Sequence, residues 1–358
     1  VVVCDITRPV PNAQVVPPVL DALDAAEVQE VTILIATGTH RPNLGDEIVQ
    51  LLGPEVPQRA SVVNHVCTDD ASLRDLGVSP NGVPIHLNTL YLDADVKVTV
   101  GMIEPHFMAG FAGGRKMVMP GIAGLKTVQA WHSPRFLEHP NATNGIVDGN
   151  PVHEESLAIA KLAPPDLILD TALDSKKQPC GIFAGDMEAA WRAGVEFVRG
   201  NVAATVPEPV DIVVTSGGGY PLDLTFYQAV KGMVAALPIL KPGGTVVIAS
   251  ACDEGIGNPH FAATLFGCDD IERFVETISD PAWIPVPDQW QVEEFAKARR
   301  GRKVRMVARG IPEETLSRLF VIPHTSVEDA IAAALEDHGP DAKIAVIPKG
   351  PYVLPSVK

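Results

Sequence analysis

The run Val31-Thr-Ile-Leu-Ile-Ala36 is rich in β-branched residues and is apolar on both faces of the strand that it predicts. Strands buried on both faces are typical of parallel sheets that helices cover on either side. An amphipathic pattern over Pro17–Val28 precedes this run, and another apolar run, Val1–Ile6, comes before that. A strand, a helix and a second strand in this order predict an α/β fold with a parallel sheet.

The same alternation continues along the rest of the chain. Further strands are predicted at Val96–Ile103, Leu167–Asp170, Ile212–Ser216, Gly244–Ala251, Val304–Ala308, Leu319–Pro323 and Ile344–Pro348. Further helices are predicted at Asp46–Leu52, Glu154–Leu162, Asp186–Val202, Phe226–Leu240, Asp270–Ser279, Val292–Arg300, Pro312–Arg318 and Ser326–Asp337.

The proline-containing stretch Val206–Val210 predicts a hinge between two domains. We therefore expect an α/β protein of two domains with largely parallel sheets, an N-terminal domain of residues 1–205 and a C-terminal domain of residues 206–339. Residues 340–358 are expected to return to the first domain as one more strand. The active site is expected in a cleft between the two domains.

The composition of the chain restricts its partners and its location. Hydrophobic residues make up 46% and charged residues 20%, which is typical of a folded globular protein. The net charge of −16 argues against nucleic acid or an anionic membrane as a partner, and an anionic substrate then needs local cations. The five cysteines lack metal-ligand spacing, and no signal peptide is present, which predicts a reducing, cytoplasmic location. No initiator Met precedes Val1, so we expect further residues upstream.

Side chains suited to chemistry follow the predicted strands where each strand ends. Arg8 follows the first strand, His40 the second and His106 the third. The glycine triplet of Ser216–Tyr220 follows the first strand of the second domain. Because ligands of open α/β sheets bind beyond the carboxyl ends of the strands, these residues predict one site.

Each of these residues also has an ordinary alternative. Arg8 suits a bidentate contact with a carboxylate, but it is equally typical of a surface turn. Asp5 either orients that arginine or caps the turn. His40 and His106 suit proton transfer near neutral pH, or they are a turn histidine and a packed histidine.

The densest signal is the glycine-rich segment Phe107–Gly121, which contains Arg115 and Lys116. Its glycines let the backbone approach a ligand, and successive N–H groups suit a phosphate, whereas the alternative is a plain turn between helices. Lys116 is followed by Met117, which excludes an ATP-binding P-loop. Lys116 therefore suits either a phosphate contact or a Schiff-base nucleophile. His132 alone cannot form a protein-only metal site, because such sites use about three or four ligands.

The second domain adds polar candidates at the start of one predicted helix. Gln228 and Lys231 are three residues apart, so they share one helix face. That face is either solvated or a cationic wall that faces an anion. Trp290 by itself is equally typical of a core position and of the rim of a site.

Many of these residues form ordered motifs. The motifs are Asp5-x-Thr-Arg8-Pro, Thr37-Gly-x-His40-Arg, Pro105-His106-x-x-Ala-Gly-Phe-x-Gly-Gly-Arg-Lys116, Pro-Gly121, His132, Gly-Gly-Tyr220-Pro-Leu-Asp and Tyr227-Gln228-Ala-Val-Lys231. Together they resemble the nickel-pincer lactate racemase family over the whole chain, with His106–Lys116 as the most specific motif. The resemblance implies an isomerase, a racemase or epimerase that inverts C2 of a small 2-hydroxy acid.

The resemblance also implies a cofactor, pyridinium-3,5-bisthiocarboxylic acid mononucleotide, joined to Lys116 as a thioamide. It implies Ni(II) bound by two cofactor sulfurs, a ring carbon and His132, and soft donors in a square plane suit Ni(II). The enzymes that assemble this nickel-pincer nucleotide are implied as partners. The implied cofactor contacts are Thr7, Gly113, Gly114, Arg115 and Lys116.

By the same resemblance, His40 and His106 are the two bases, one for each enantiomer, and the C2 hydrogen leaves as hydride to the cofactor. The implied substrate-binding residues are Arg8, Lys231, Gln228, Asp5, Tyr227 and Trp290. Trp131 and Ala112 depart from the family pattern, in which a smaller polar residue and Ser are common at these places. The particular 2-hydroxy acid therefore stays open, and so does assembly into a homo-oligomer.

Two other functions remain open from the residues themselves. A Schiff-base or phosphate-transfer enzyme would use Lys116 without nickel. A non-catalytic protein that binds a carboxylate or a nucleotide would still need Arg8 and Lys231, but not His40 or His106. The spacing of the motifs favours the racemase.

Overall fold

The computed structural model describes all residues from Val1 to Lys358 and divides the chain into two compact units. Unit 1 comprises Val1–Glu104, Phe111–Trp131 and Ile146–Gly200. Unit 2 comprises Pro105–Gly110, His132–Gly145 and Asn201–Lys358. The chain therefore passes between the units several times, whereas the sequence predicted one hinge. The domain boundary at residues 205 and 206 stays a prediction.

The strands and helices alternate along the chain. The strands are β1 (Val2–Cys4), β2 (Thr32–Ala36), β3 (Ser61–Asn64), β4 (Leu73–Val78), β5 (Pro84–Asn88), β6 (Val98–Met102), β7 (Pro105–His106), β8 (Gly110–Phe111), β9 (Leu167–Leu173), β10 (Pro179–Gly185), β11 (Ala203–Val206), β12 (Val210–Ser216), β13 (Leu240–Ala249), β14 (Lys303–Val307), β15 (Ile322–Pro323), β16 (Ile344–Ile347) and β17 (Leu354–Val357). The helices are α1 (Asn12–Ala25), α2 (Asp46–Leu52), α3 (Val56–Arg59), α4 (Thr89–Leu92), α5 (Leu125–Trp131), α6 (Pro134–Leu137), α7 (Pro151–Ala160), α8 (Met187–Val202), α9 (Phe226–Ala235), α10 (Pro259–Phe266), α11 (Ile271–Ile278), α12 (Gln289–Arg299), α13 (Glu313–Ser317) and α14 (Val327–His338). None of these helices has the length and apolar character needed to cross a lipid bilayer.

The sheet of unit 1 has the strand order β10-β9-β6-β1-β2-β3, and within it only β10 pairs antiparallel. Strand β1 lies inside the sheet, with Val2 opposite both Leu34 and Thr99. Ile33 and Ile35 are fully buried, as expected for a strand whose two faces are covered. The prediction of an α/β fold with largely parallel sheets is confirmed.

Helix α1 begins at Asn12, earlier than the predicted start at Pro17. The prediction placed Pro17 in the first turn, because proline lacks an N–H group and costs least there. In the structure Pro17 lies inside the helix. The buried side chains of Val15 and Val16 lie N-terminal to it, and their burial in the core outweighs the lost backbone hydrogen bond.

The sheet of unit 2 is wholly parallel, with the strand order β15-β14-β13-β12-β16. Strand β16 pairs with β12, and β17 pairs with β11. The expectation that residues 340–358 return to the first domain stays a prediction, although β16 joins the sheet of unit 2. Helix α14 packs Ala330 and Ala334 on Ile212 of β12. Because the connection after α14 is short, the chain re-enters the sheet that this helix covers.

Helix α12 is polar in sequence but almost wholly buried. Its Glu293 is 0% exposed, and neither carboxylate oxygen has a hydrogen-bond partner. Burial raises the pKa of Glu293 to about 9, and the positive charge of Lys297 opposes this rise, whereas the negative charge of Glu294 adds to it. Glu293 is therefore a neutral carboxylic acid at pH 7.

We expect Glu293→Gln to stabilise the protein at pH 8 but not at pH 5. The pKa in the folded state lies above the ordinary value of 4.5, so the unfolded chain releases this proton first. Stability therefore falls as the pH rises from 4.5 towards 9. The amide of the variant has no proton to lose, which gives a gain of roughly 2–5 kcal/mol at pH 8. Urea unfolding of both proteins measures the difference, and an equal difference at the two pH values would contradict it.

Candidate active site

The side chains after β1 and β2 meet, because these strands are parallel neighbours. His40 Nδ1 lies 2.6 Å from Asp5 Oδ2. The backbone N–H and the hydroxyl of Thr7 donate to the other oxygen, Asp5 Oδ1, at 3.2 and 2.6 Å. Burial raises the pKa of Asp5, but His40, Arg8 and Thr7 together outweigh burial and lower that pKa to about 2. The ionised carboxylate holds a proton on His40 Nδ1, so proton exchange falls to Nε2.

Asp5 caps its own turn through the bonds from Thr7, which is one of the two predicted roles, and it also has a partner that the sequence did not predict. The sequence indicated Arg8 or the turn itself, both within a few residues of Asp5. The structure pairs Asp5 with His40 across two strands, in addition to the Thr7 bonds. The signal that could have revealed this pair is the β–α–β unit, since β1 and β2 connected through α1 are expected to lie side by side.

Arg8 lies at the same strand ends and is partly exposed. Its Nη1 donates to Thr7 Oγ1 at 2.9 Å, and its Nε lies 4.0 Å from a carboxylate oxygen of Glu104. Glu104 follows β6, which is the other neighbour of β1. The guanidinium is therefore held beside the Asp5–His40 pair.

Lys116 lies in a tight turn that two left-handed glycines begin. Gly113 and Gly114 have φ angles of +80° and +53°. A Cβ atom on Gly113 would lie 2.7 Å from Asp170 Oδ2, and one on Gly114 would lie 2.8 Å from Trp191 Cγ. Glycine is therefore required at both positions by backbone conformation and by close packing.

Gly114 and Arg115 make contacts that support the turn. The N–H group of Gly114 donates to Asp170 Oδ2 at 2.7 Å. Arg115 is 1% exposed, and its guanidinium donates to Phe111 O at 2.9 Å and lies 4.2 Å from the centre of the Trp191 ring. These groups point into the interior of unit 1, so they support the turn from within.

The side chain of Lys116 is partly exposed, and its Nζ lies 5.0 Å from the centre of the Trp131 ring. Trp131 is fully buried, and its Nε1 donates to Val152 O at 2.9 Å. Trp131 is therefore an aromatic support for the side chain of Lys116. Lys116 O accepts from Gly121 N at 3.0 Å, and Gly121 O accepts from Gly38 N at 2.9 Å. Backbone hydrogen bonds therefore connect the lysine turn with the loop that carries His40.

His65 strengthens this connection, although no motif around it in the sequence predicts a role. Its Nε2 lies 3.0 Å from Ala123 O, and its Nδ1 lies 3.1 Å from Asn88 Nδ2. The hydroxyl of Thr37 donates to His65 O at 2.6 Å. Burial lowers the pKa of His65 to about 4, so it is a neutral structural histidine.

In unit 2, His132 stacks on Trp290 with the ring centres 4.7 Å apart. Trp290 Nε1 donates to the hydroxyl of Tyr227 at 3.3 Å, and that hydroxyl donates to Asp288 Oδ1 at 3.3 Å. His132 is 8% exposed. The face of this imidazole is therefore fixed by an aromatic side chain that is itself hydrogen-bonded in place.

His106 of unit 2 has a defined proton arrangement. Its Nδ1 accepts hydrogen bonds from the backbone N–H groups of Met108 and Ala109, each at 3.2 Å. Nδ1 is therefore the acceptor nitrogen of the ring, and the neutral ring carries its proton on Nε2. The imidazole stacks on Phe107, and Lys231 Nζ lies 5.7 Å from the centre of the same Phe107 ring.

Gln228 and Lys231 lie on α9, as predicted. The helix begins at Phe226, and Thr225 Oγ1 accepts from Gln228 N at 3.3 Å as its N-cap. The predicted site residues of unit 1 are Asp5, Thr7, Arg8, His40, Gly113, Gly114, Arg115 and Lys116, and those of unit 2 are His106, His132, Tyr227, Gln228, Lys231 and Trp290. No group of three or more His, Cys, Asp or Glu side chains is arranged to hold a metal ion.

Comparisons with known proteins agree with this arrangement. The lactate racemase N-terminal domain family matches residues 1–145, and the lactate racemase C-terminal domain family matches residues 206–354. The lactate racemase of Lactiplantibacillus plantarum is 36% identical over 348 residues, which cover 97% of this chain and 82% of that protein. The lactate racemase of Thermoanaerobacterium thermosaccharolyticum is 35% identical over 356 residues, 99% of this chain and 83% of that protein.

Solved structures show the same fold. The lactate racemase apoprotein of T. thermosaccharolyticum superposes with a TM-score of 0.95 at 35% identity, covering 99% of this chain and 85% of that chain. A Thermotoga maritima protein superposes with a TM-score of 0.76 at 20% identity, covering 100% and 93%, which shows the fold alone. The fold, the site and these relatives together define an α/β isomerase, a racemase. The chain belongs to the lactate racemase family.

Proposed function

We propose that this protein inverts C2 of a small 2-hydroxy acid, with His40 and His106 as the two proton-transfer groups and a nickel-pincer nucleotide attached to Lys116. The observation that carries the proposal is the Asp5–His40 pair at 2.6 Å beside Arg8, in a chain of the lactate racemase family. A buried carboxylate that orients an imidazole next to a cation suits proton removal from the hydroxyl of an anionic substrate.

The residues present fit the proposed cofactor. Lys116 offers a partly exposed primary amine on a rigid turn, which is a suitable attachment point. His132 offers one ordered imidazole, and it belongs to no group of three or more His, Cys, Asp or Glu side chains that could hold a metal ion. A metal held by a single protein ligand needs its remaining donors from a cofactor, and sulfur donors suit Ni(II). When bound, the cofactor supplies the carbon that accepts the C2 hydride and returns it.

The two histidines handle the proton of the substrate hydroxyl. His40 receives it on Nε2, and the Asp5 carboxylate stabilises the imidazolium that forms. His106 can accept a proton on Nε2 only as the tautomer with its ring proton on Nδ1, so its part in proton transfer requires that it give up the two hydrogen bonds that Nδ1 accepts from backbone N–H groups. Racemisation needs a base for each enantiomer, and the two imidazoles provide one each.

The substrate carboxylate needs cations in a chain whose net charge is −16. Arg8 of unit 1 offers a planar guanidinium at the strand ends, and Lys231 of unit 2 offers an ammonium on α9. Gln228 precedes Lys231 by one helical turn and supplies amide hydrogen bonds to the same carboxylate. This pattern favours a small 2-hydroxy acid as the substrate.

The proposal is tested on protein produced in a cell that makes the cofactor. Intact mass should show extra mass that peptide mapping assigns to Lys116, and metal analysis should find about one nickel per chain. A chiral assay over a panel of 2-hydroxy acids should then identify the substrate. Unmodified Lys116 together with no nickel in such protein would disprove the proposal.

We expect Asp5→Asn to lower kcat by roughly 10²–10⁴-fold with little change in KM. The amide can turn an N–H group towards His40 Nδ1, which favours the wrong tautomer and removes the charge that stabilises the imidazolium. Steady-state kinetics in both directions measure the effect. The exposed surface carboxylate Asp93, changed to Asn, is the matched control. A kcat within about twofold of the wild type would remove Asp5 from the mechanism.

We expect Arg8→Ala to raise KM by roughly 10–100-fold, the cost of a lost charged hydrogen bond in a substrate site. Arg8→Lys should restore part of the affinity, because it keeps the charge but loses the planar pair of donors. Substrate titrations measure both variants. Arg41→Ala is the control, since Arg41 is an exposed arginine near the end of β2 that pairs with Glu47. An unchanged KM for Arg8→Ala would exclude the carboxylate contact.

A further inference from the structure

The turn that carries Lys116 begins with two residues that have no side chains to support it. Its first residue, Gly113, provides no side-chain cap, and the two glycines adopt left-handed φ angles. Glycine loses more conformational entropy on folding than other residues, so such a turn keeps one shape only if the surrounding structure holds it. Another part of the structure must therefore hold this turn.

The carboxylate of Asp170 is the group packed most closely against the turn. Asp170 lies on β9, opposite Gly101 of β6, and is fully buried. Its Oδ2 accepts the N–H of Gly114 at 2.7 Å. A Cβ atom on Gly101 would lie 2.5 Å from Oδ1, and one on Gly113 would lie 2.7 Å from Oδ2. The carboxylate therefore occupies the space that two absent side chains leave.

The same carboxylate faces a buried positive charge. Arg115 contacts Phe111 O and the ring of Trp191, and its electrostatic interaction with Asp170 opposes the fall in its pKa that burial causes. Trp191 in turn donates from Nε1 to Ala112 O at 2.7 Å. Burial raises the pKa of Asp170 to about 7, and the hydrogen bond from Gly114 N–H and the charge of Arg115 oppose that rise.

We propose that Asp170 is the positioning residue of Lys116, because it fixes the Gly113–Gly114 turn through one hydrogen bond and through close packing against Gly113. Lys116 is the next residue along the chain, and its carbonyl is bonded to Gly121. Asp170 accepts a hydrogen bond at the start of the turn, and Gly121 donates one to the carbonyl of Lys116. These two bonds restrict the position of the lysine amine. The inference rests on the proposed function only in taking Lys116 as the attachment amine.

The first test measures how readily the amine of Lys116 reacts in protein without cofactor. Acetic anhydride at a limiting dose labels each amine in proportion to its accessibility and basicity, and peptide mass spectrometry gives Lys116 relative to the exposed Lys126 and Lys161. We expect Asp170→Ala to raise this ratio roughly fivefold, the factor that corresponds to one lost hydrogen bond. Asp170→Asn, which keeps an acceptor for Gly114 N–H, should give an intermediate ratio.

The matched control is Ile33→Ala, since Ile33 is fully buried on β2, which two other strands of the same sheet separate from the β9 strand of Asp170. It should lower the unfolding temperature as Asp170→Ala does, but it should leave the labelling ratio within about twofold of the wild type. If Asp170→Ala does not fold, Asp170→Asn decides instead, because it keeps the size of the side chain and an acceptor for the N–H of Gly114. Labelling ratios equal to that of the control in these variants would overturn the proposal.

The second test measures the fraction of Lys116 that carries an adduct when each variant is produced in a cofactor-competent cell. We expect that fraction to fall in the order wild type, Asp170→Asn, Asp170→Ala, and to stay at the wild-type level in Ile33→Ala. An equal fraction in all four proteins would count against Asp170 as the positioning residue. If the wild type itself carries no adduct, the proposed function fails, whereas the labelling ratios still decide the role of Asp170.

Discussion

Lys116→Ala is expected to remove every covalent adduct from the protein and to lower racemase activity by about a thousandfold or more. The reason is that a cofactor carries the difficult chemistry, while the protein holds and orients it. Without the amine, no bond joins the cofactor to the turn between Gly113 and Met117. Intact mass, nickel content and a chiral assay on the same preparation measure the three consequences. The added mass, the nickel and the racemase activity should be lost together, because all three depend on the bond between the cofactor and Lys116.

Two further variants show whether the effect depends on the amine of Lys116. Lys126→Ala changes an exposed lysine on α5 of the same unit, and it should keep both adduct and activity. Lys116→Arg keeps the positive charge over Trp131 but provides no amine that can be acylated, so it should behave as Lys116→Ala does. An adduct that persists in Lys116→Ala would place the attachment elsewhere. If Lys116 serves as a Schiff-base nucleophile, borohydride with a carbonyl compound would add mass to wild-type Lys116 in protein free of nickel.

His106→Ala and His40→Ala are each expected to lower racemisation by roughly 10²–10⁴-fold, the usual contribution of a general acid–base group. Each enantiomer needs its own base, so removing either imidazole interrupts the cycle. The loss must be equal in both directions, because an enzyme does not alter the equilibrium between two enantiomers. Initial rates from each pure enantiomer measure it. Substrate affinity should change little, since Arg8 and Lys231 remain in place.

The control for both variants is His260→Ala, which changes an exposed histidine at the start of α10. It should leave the rate and the affinity unchanged. If His106→Ala and His40→Ala also kept the wild-type rate, neither histidine would be a base. A protein that merely binds a carboxylate would keep its affinity in both histidine variants and show no racemisation in the wild type. The kinetic experiment therefore separates an enzyme from a binding protein.

Local sequence was sufficient for the fold class and for the strand ends at which Arg8 and His40 lie. A buried parallel strand needs apolar residues on both faces, and Val31–Ala36 shows them without reference to any partner strand. Strand ends then locate Arg8 and His40 at the edge where ligands of such sheets bind. The glycines before Lys116 likewise reveal a turn, because only glycine adopts their φ angles without strain.

The sequence did not predict which residues from distant parts of the chain are in contact. The partner of Asp5 depended on which strand lies beside β1, and only the pairing of Cys4 with Ala36 brings His40 within reach. The role of Arg115 depended on Trp191, which a helix far along the chain places over its guanidinium. A charged side chain next to a lysine in sequence is usually exposed, so its complete burial had no local signal.

The amino-acid sequence by itself determined that this protein is a parallel α/β structure and that its reactive side chains lie at strand ends, because hydrophobic periodicity and glycine conformation are properties of neighbouring residues. Tertiary structure alone decided the partners of those side chains: Asp5 with His40, Gly114 with Asp170, and His132 with Trp290. It also decided that β16 joins β12. The physical reason is that hydrogen bonds and charge pairs act over a few ångströms in space, whatever the separation of their residues along the chain.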